Sequence, residues 1–349
     1  MARLRTHRSL AAALNQPASP TWMKAHDTIT APSTTSATPG GSMRVGAPRD
    51  STRRGLPSLH GRRPCGSLAI LNGRPRENGA VPKPATLRIY LTGRLVVESG
   101  DQLLDAGRLP GKQGRLAFAY LVNERKRPVP RDELAEVLWG EQLPPAWETA
   151  LRAVVSKLRS ALAAVGITEP DLITGALGCY QVMLPAHGWI DTEAAASSIH
   201  EAEIALRSGR VADACGPALV AAQIARRPFL PGEEAGWIGK QRSILHSIHL
   251  RALETLVEVW LASGDYALAV RDVEEAIHLE PYRETSYQQL MRVRAAAGDR
   301  AGALAAYERL RELLANELGV DPSPETVQVH QTILRLGQLN ANGIPTVAG

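Results

Sequence analysis

Cysteine is scarce in this sequence, and its placement excludes the usual cysteine-based sites. The three cysteines, Cys65, Cys179 and Cys215, lie far apart and form no CxxC pair. Their spacing supports neither a zinc site nor a disulfide framework, so we interpret them as buried or incidental thiols. His246 and His249 lie three residues apart in a helical pattern, but no third ligand is near them in sequence. We therefore predict no metal.

The sequence also lacks long apolar runs and catalytic motifs. No run approaches the roughly 20 residues that a membrane-spanning helix needs. The apolar segment at residues 10–14 is too short for the core of a signal peptide. Phosphate loops of the GxxxxGKS or GxxxxGKT type, GxSxG elbows and HExxH helices do not occur. We expect a cytoplasmic, nucleoid-associated protein that is not an enzyme, uses no cofactor and contacts no membrane.

The positive charge of the chain is concentrated in its first quarter. Residues 1–83 contain 13 Lys or Arg and 3 Asp or Glu, whereas residues 84–349 contain 27 and 32. The net charge of +5 is therefore no evidence that the rest of the chain binds nucleic acid. The 1–83 segment is rich in Ser, Pro and Arg without any periodicity, which predicts a disordered basic tail with weak attraction to DNA. An alternative is that translation begins downstream, for example at Met43.

Residues 84–185 show an order of elements that is typical of one DNA-binding fold. "LRIYLTGRLVVES" predicts a hairpin, and "DQLLDAG" adds a strand. Helices follow in "KQGRLAFAYLVNER", "RDELAEVLW" and "AWETALRAVVSKLRSAL", and a second hairpin lies within residues 171–184. Prolines punctuate the loop at residues 140–146. Strands, three helices and a closing hairpin predict a winged helix-turn-helix, with the last hairpin as its wing.

Residues 188–337 are helical almost throughout and contain a repeat. "GDYALAV" begins at Gly264 and "GDRAGAL" at Gly298, an offset of 34 residues that tetratricopeptide repeats share. A weaker unit surrounds Gly209, where Pro217 interrupts the pattern. "GWIDTEAA" predicts a helix start with Asp191 or Thr192 as N-cap. The expected fold is mainly α with small β elements: a winged helix, an all-α tetratricopeptide-like domain and a flexible segment at 338–349.

The helix of residues 146–162 has two distinct faces. Its apolar positions follow the 3.6-residue period of an inward face: Leu151, Val154, Val155, Leu158 and Leu162. Its polar positions follow another face: Thr149, Arg152, Ser156 and Arg159, with Lys157 at the edge. In an isolated helix such a face is often simply solvated. Its place between a short helix and a hairpin instead favours the recognition helix of a helix-turn-helix, whose side chains contact DNA.

Further basic side chains are candidates for contacts with DNA phosphates. Lys112 and Arg115 begin the first helix, and Arg131 begins the second. The run at residues 125–127 is either a phosphate contact or solvated loop charge. The region 86–184 holds 12 basic and 11 acidic residues, so any cationic surface is local. The loop at 140–146 is either a rigid connector or a surface for the transcription machinery.

Stretches of both predicted domains resemble a known family. "DELAEVLWGEQLPPAWETALRAVVSKLRSAL" with "GCYQVML" is similar to the OmpR-type winged helix of antibiotic-pathway regulators, the SARP family. "RRPFLPGEEAGWIGKQR" and "YERLRELLANELGVDPSPET" look like the bacterial transcriptional activator domain that follows it. The resemblance covers about residues 86–337. Cys179 departs from the family pattern by separating the Gly and Tyr of the wing.

The resemblance implies a sequence-specific transcriptional activator. Such a protein binds direct repeats in double-stranded promoter DNA as a homodimer, recruits RNA polymerase holoenzyme and switches on a secondary-metabolite (antibiotic) cluster. It also implies that the loop after the second helix contacts polymerase or its sigma factor, through Glu141, Gln142, Leu143 and Pro144. The alternative from another class is a helical-repeat adaptor whose winged helix contacts protein.

Overall fold

A computed structural model describes residues 87–167 and 172–341. Its strands are β1 Leu87–Tyr90, β2 Val96–Ser99, β3 Gln102–Asp105, β4 Val129–Pro130, β5 Ile173–Ala176, β6 Cys179–Val182 and β7 Trp189–Ile190. Its helices are α1 Gly111–Asn123, α2 Arg131–Trp139, α3 Trp147–Ala163, α4 Asp191–Arg207, α5 Val211–Ala225, α6 Gly236–Ser263, α7 Tyr266–Leu279, α8 Glu284–Ala296, α9 Arg300–Glu317 and α10 Pro324–Ala341. The predicted basic tail at 1–83 lies outside the described residues.

The first half of the described chain is a winged helix-turn-helix, as predicted. β1, β2 and β3 form consecutive antiparallel pairs, with Ile89 opposite Val97. In β1 the buried Leu87 and Ile89 alternate with Arg88 and Tyr90, so one face of this strand is turned to the core. α1 is buried along most of its length, including Phe118 and Leu121. The sheet and α1 together form the core against which α2 and α3 pack.

The wing is a three-stranded sheet rather than a simple hairpin. Its strand order is β4-β6-β5, and β4 pairs Val129 with Tyr180. The sequence pattern did not predict β4, because it is two residues long and contains Pro130. Proline cannot donate a ladder hydrogen bond, but it is tolerated here because β4 lies at the edge of the sheet. The wing is thereby attached to the residues that precede α2.

The chain after the wing returns to the first sheet before the helical domain begins. β7 pairs in parallel with β1, so Ile190 lies opposite Ile89. The prediction that Asp191 or Thr192 caps the next helix was wrong. The N-cap of α4 is Ile190, without a side-chain cap bond, and the Asp191 carboxylate instead accepts hydrogen bonds from the first sheet. A two-residue strand paired across a hundred residues leaves no local signal in the sequence.

The second half is an array of helix pairs, in agreement with the predicted repeat. Gly264 and Gly298 form the turns between α6 and α7 and between α8 and α9, with φ of 83° and 82°. Gly209 makes the same kind of turn between α4 and α5, with φ of 72°. These left-handed conformations favour glycine because it has no Cβ. The weak unit around Gly209 is therefore a complete helix pair, and α5 continues through Pro217.

Apolar and aromatic side chains fill the space between the paired helices. Tyr287, Leu290, Met291 and Ala303 are buried between α8 and α9. Trp260 of α6 donates its indole hydrogen to the buried carboxylate of Asp272 in α7, at 2.8 Å. Helix α10 packs on α8 and α9 and continues to Ala341. Residues 338–341 of the predicted flexible segment are thus helical, and residues 342–349 lie outside the described part.

The described residues were also compared with the requirements of a membrane span and of a metal site. None of their helices combines the length and apolarity that a membrane span requires. They also contain no group of three His, Cys, Asp or Glu side chains arranged to hold a metal ion. His246 and His249 instead face carboxylates, Glu280 at 3.3 Å and Glu275 at 3.4 Å. Burial lowers the pKa of His249 below its usual value.

Candidate nucleic-acid interface

The helix-turn-helix is formed by α2, the loop at residues 140–146 and α3. α2 ends where Gly140 adopts a φ of 58°, a conformation that L side chains rarely take. At the end of the loop, the amide of Trp147, the first residue of α3, donates to the Pro144 carbonyl at 3.0 Å. The loop is therefore an ordered turn that fixes the direction in which α3 leaves α2.

The inward face of α3 holds the domain together. Leu151, Val155, Leu158 and Leu162 are all buried, and Val154 is partly buried. The predicted inward face is confirmed, with Val154 at its margin. Full burial of a leucine or valine side chain contributes about 1.5–3 kcal/mol each. This anchoring keeps the opposite face of α3 free for solvent or a ligand.

The outward face of α3 carries four of the predicted contact residues. Thr149, Arg152, Ser156 and Lys157 are all exposed. Arg152 pairs with Glu148 one turn earlier, at 3.0 Å, and both side chains are more than half exposed. Such surface pairs contribute only about 0–1 kcal/mol, so Arg152 can exchange Glu148 for another anion at little cost. The geometry brings these four side chains together as one polar, basic surface, which we call the α3 surface.

Arg159 does not belong to this surface. Its Nε and Nη2 both donate to the Ile173 carbonyl, at 3.1 and 2.9 Å, and the side chain is half-buried. Arg159 therefore connects α3 to strand β5 of the wing. Its sequence position on the polar side of the helix did not reveal this bond, because the partner is a backbone atom in another element.

Arg131 also contacts the wing. Its guanidinium lies 5.5 Å from the centre of the Tyr180 ring, a cation–π arrangement. Its backbone amide donates to the carbonyl of Gly178 in the wing turn, at 3.1 Å. The wing keeps a regular register despite Cys179, which lies opposite Ala176 and Pro130. The departure from the family pattern at Cys179 therefore leaves the hairpin intact.

Lys112 and Arg115 lie in the first turns of α1, next to residues of the helical domain. Arg115 forms an ion pair with the buried carboxylate of Glu233, at 2.6 Å. Lys112 is exposed beside a cavity of about 570 Å³ that α1 and α2 share with the first turn of α6, where Trp237 lies. Arg115 is thus already paired with a carboxylate, whereas the phosphate contact of Lys112 stays a prediction. Arg115 instead holds the winged helix against the helical domain.

Two of the three basic residues at 125–127, Arg125 and Arg127, form ion pairs with carboxylates. Arg125 makes two bonds of 2.7 Å to Glu193 in α4, and this contact raises the pKa of Arg125. Arg127 bonds Glu124 and Glu133. Burial and a hydrogen bond to Glu133 raise the pKa of Tyr120 to about 12. This network fixes the turn between α1 and α2, so the structure favours a structural role for this run.

The contact between the winged helix and the helical domain was not predicted. The Asp191 carboxylate is fully buried and accepts from the backbone amides of Leu91 and Thr92 at 2.9–3.0 Å, and from the Thr92 hydroxyl. The segment before α6 bonds the first sheet, through the Leu230 amide to the Leu91 carbonyl, and Arg242 of α6 supports that segment by donating to three of its own carbonyls. Trp237 packs edge-on against Tyr120 and Phe229. These contacts join the two parts through polar bonds as well as apolar packing.

The predicted polymerase-contact residues lie together on the loop between α2 and α3. Glu141, Gln142 and Leu143 are exposed and Pro144 is half-buried. Leu143 is 44% exposed, an apolar side chain on an otherwise polar turn. The loop is thus accessible to a partner protein beside the α3 surface.

The fold and this surface define a winged-helix protein with an attached helical-repeat domain. Residues 190–334 match the bacterial transcriptional activator domain. The regulatory protein AfsR of Streptomyces coelicolor is 32% identical over 223 residues, 64% of this chain but 22% of that protein. The regulatory protein DnrI of Streptomyces peucetius is 27% identical over 256 residues, 71% of this chain and 92% of that protein.

A solved structure supports the same assignment. EmbR of Mycobacterium tuberculosis, in complex with a low-affinity phosphopeptide, superposes with a TM-score of 0.65 at 25% identity. The match covers 72% of this chain and 66% of that one. The chain is therefore similar to regulators of the SARP family, and its residues 190–334 match the domain that they share. It spans only about a quarter of the length of the AfsR relatives that it matches.

Proposed function

We propose that this protein is a sequence-specific activator that places α3 in the major groove of double-stranded promoter DNA. The observation that carries the proposal is the α3 surface: Thr149, Arg152, Ser156 and Lys157 exposed on a helix whose other face is buried. Arginine recognises guanine edges through paired hydrogen bonds, while lysine and hydroxyl groups contact bases and phosphates. EmbR, which is named a transcriptional regulatory protein, and the regulatory protein AfsR support the same function.

The finer assignments follow from the family. We propose that the protein binds direct repeats as a homodimer, recruits RNA polymerase holoenzyme and activates a secondary-metabolite (antibiotic) cluster. The DNA-binding domain comprises residues 84–185 and the activator domain residues 188–337. DnrI, a Streptomyces regulator that the chain covers almost completely, supports an activator of this size.

DNA binding is tested with the full-length protein and a duplex selected by it from random sequence. Fluorescence anisotropy should show tighter binding to the selected duplex than to a scrambled duplex, by at least about 1,000-fold. Affinity should also fall by about 1,000-fold or more between 50 and 200 mM salt, because phosphate contacts release counterions. Equal affinity for both duplexes would contradict the proposal and favour a helical-repeat adaptor.

The loop at residues 140–146 is proposed to contact the polymerase holoenzyme. Leu143→Ala removes the exposed apolar side chain without touching the α3 surface. We expect unchanged DNA affinity but a loss of about fivefold in transcription from a responsive promoter in vitro, since one interface side chain commonly contributes ~1 kcal/mol. Leu318→Ala, at a 53% exposed leucine after α9, is the matched control and should leave transcription unchanged. Full activation by Leu143→Ala would exclude this residue from the contact.

A further inference from the structure

The first sheet carries a cavity of about 370 Å³ that the proposed function does not use. Tyr90 of β1, Val96 of β2 and Leu103 of β3 provide its apolar lining. Leu103 is 57% exposed although it is apolar, so the fold leaves part of this surface uncovered. Sites for small molecules commonly measure about 300–1,000 Å³ and are largely apolar. The cavity is therefore large enough for a small organic molecule.

Two arginines from different parts of the chain line the same cavity. Arg94 follows Gly93 in the turn between β1 and β2, and Arg227 lies in the segment between α5 and α6. The stem of Arg227 packs over Gly93, where an added Cβ would meet its Cδ at 3.4 Å. Arg94 is exposed and Arg227 is half-buried. The winged helix and the helical domain thus each bring one positive charge to the cavity.

Neither arginine has a partner for its side chain among the described residues. Every other interaction of these residues would be named, and none involves the guanidinium of Arg94 or Arg227. The Nε of Arg227 is moreover buried without any hydrogen-bond acceptor. Native structures rarely keep a buried donor unpaired, and such a group indicates a missing partner or a functional role. The two guanidinium groups therefore offer several hydrogen-bond donors with no acceptor.

The carboxylates of the cavity, in contrast, already have donors. Glu98 accepts from the Tyr90 hydroxyl at 3.1 Å. Asp105 accepts from the backbone amides of Gly107 and Arg108, at 2.9 and 3.2 Å. An incoming cation would have to compete with these bonds, whereas an incoming anion finds unpaired donors. The balance of donors and acceptors therefore favours a negatively charged ligand.

We infer that this cavity binds a small organic anion. Its carboxylate or phosphate oxygens accept hydrogen bonds from Arg94 and Arg227, because the planar guanidinium matches the geometry of both groups. Its apolar part lies on Tyr90 and Leu103. The ligand joins the winged helix to the helical domain close to Thr92, which also lines the cavity and bonds Asp191. This site goes beyond the proposed DNA-binding function and does not depend on it.

The inference is tested by calorimetric titration of the full-length protein in a buffer without phosphate or organic anions. Phenyl phosphate and benzoate are the two anionic probes, and at least one should bind with a Kd of about 0.1–1 mM, as expected for ligands of about ten non-hydrogen atoms. The tighter of the two identifies the preferred oxyanion. Benzyl alcohol has the ring without the charge, and inorganic phosphate has the charge without the ring. Both should bind at least about tenfold more weakly.

Substitutions at the two arginines locate the binding. Arg94→Gln and Arg227→Gln should each weaken the anionic probe about tenfold or more, because a hydrogen bond to a charged group is lost. Arg94 is exposed, so Arg94→Gln should unfold at the same temperature as the unaltered protein. Arg88→Gln is the matched control, since Arg88 is an exposed arginine of β1 that does not line the cavity. It should bind the probe with unchanged affinity.

Four outcomes would overturn the inference. The first is that neither anionic probe binds. The second is equal affinity in the unaltered protein and both cavity variants, which would place the binding elsewhere, such as the basic segment at residues 1–83. The third is equal affinity for benzyl alcohol, which would leave only apolar contact. The fourth is weaker binding of Arg94→Gln to the selected duplex without any affinity for the probes, which would assign this arginine to DNA phosphates.

Discussion

Asp191→Ala should destabilise the protein by about 3–4 kcal/mol, because each unsatisfied buried donor costs about 1–3 kcal/mol. The carboxylate accepts hydrogen bonds from the Leu91 and Thr92 amides, and the structure assigns these amides no other partner. Alanine leaves both donors buried without an acceptor. Urea unfolding of the purified full-length protein measures the change. A loss of this size is a large fraction of the stability of a typical domain, about 5–15 kcal/mol.

A matched control separates this effect from the loss of any carboxylate. Asp213 lies in the first turn of α5, is 62% exposed and pairs with Arg210 at 3.3 Å. Asp213→Ala should change stability by less than about 0.5 kcal/mol. Amide hydrogen exchange at Leu91 and Thr92 should quicken in Asp191→Ala alone. Unfolding at the same urea concentration as the unaltered protein would show that the Asp191 bonds do not stabilise the contact between the two parts.

Arg152→Ala should weaken binding to the selected duplex by about 10-fold to 100-fold, the value of one bidentate arginine–guanine contact. Binding to the scrambled duplex should fall much less, because bases are not read there. Anisotropy titrations against both duplexes measure the two changes. Glu148→Gln is the control, since it removes the ion-pair partner and leaves Arg152 in place. Equal losses on both duplexes would reduce Arg152 to a phosphate contact.

Arg159 provides a second comparison on the same helix. Its two bonds to the Ile173 carbonyl connect α3 to the wing, so Arg159→Ala should loosen the wing rather than remove a base contact. We therefore expect Arg159→Ala to lower the thermal stability of the protein, whereas Arg152→Ala should not. Each substitution removes one arginine charge from α3. Comparing them therefore distinguishes a contact with DNA bases from a contact that supports the wing.

Elements with strong local periodicity could be predicted from the sequence. α3 was expected at 146–162 and runs from Trp147 to Ala163, because its leucines and valines repeat at helical spacing. The glycine turns at Gly264 and Gly298 were likewise visible as a 34-residue repeat. In both cases the residues that determine the structure are close together in the chain.

Features that depend on distant partners could not be predicted in this way. Arg115 resembles a DNA contact by position, but its partner Glu233 is 118 residues away. Asp191 resembles a helix cap, yet its partners lie about a hundred residues earlier. Composition shows that such charges exist, while only the packing of the two parts shows which ones are already neutralised. The α3 surface stays exposed after this pairing, and its one ion pair, Arg152 with Glu148, is itself solvent-exposed.

Methylation of guanine N7 by dimethyl sulfate tests the central claim most directly, because N7 lies in the major groove. With the unaltered protein bound to the selected duplex, guanines in the major groove of each repeat should be protected. Arg152→Ala, at a concentration that restores full binding, should expose at least one of those guanines again. A bound duplex whose guanines are methylated as fast as free DNA would contradict the placement of α3 in the major groove.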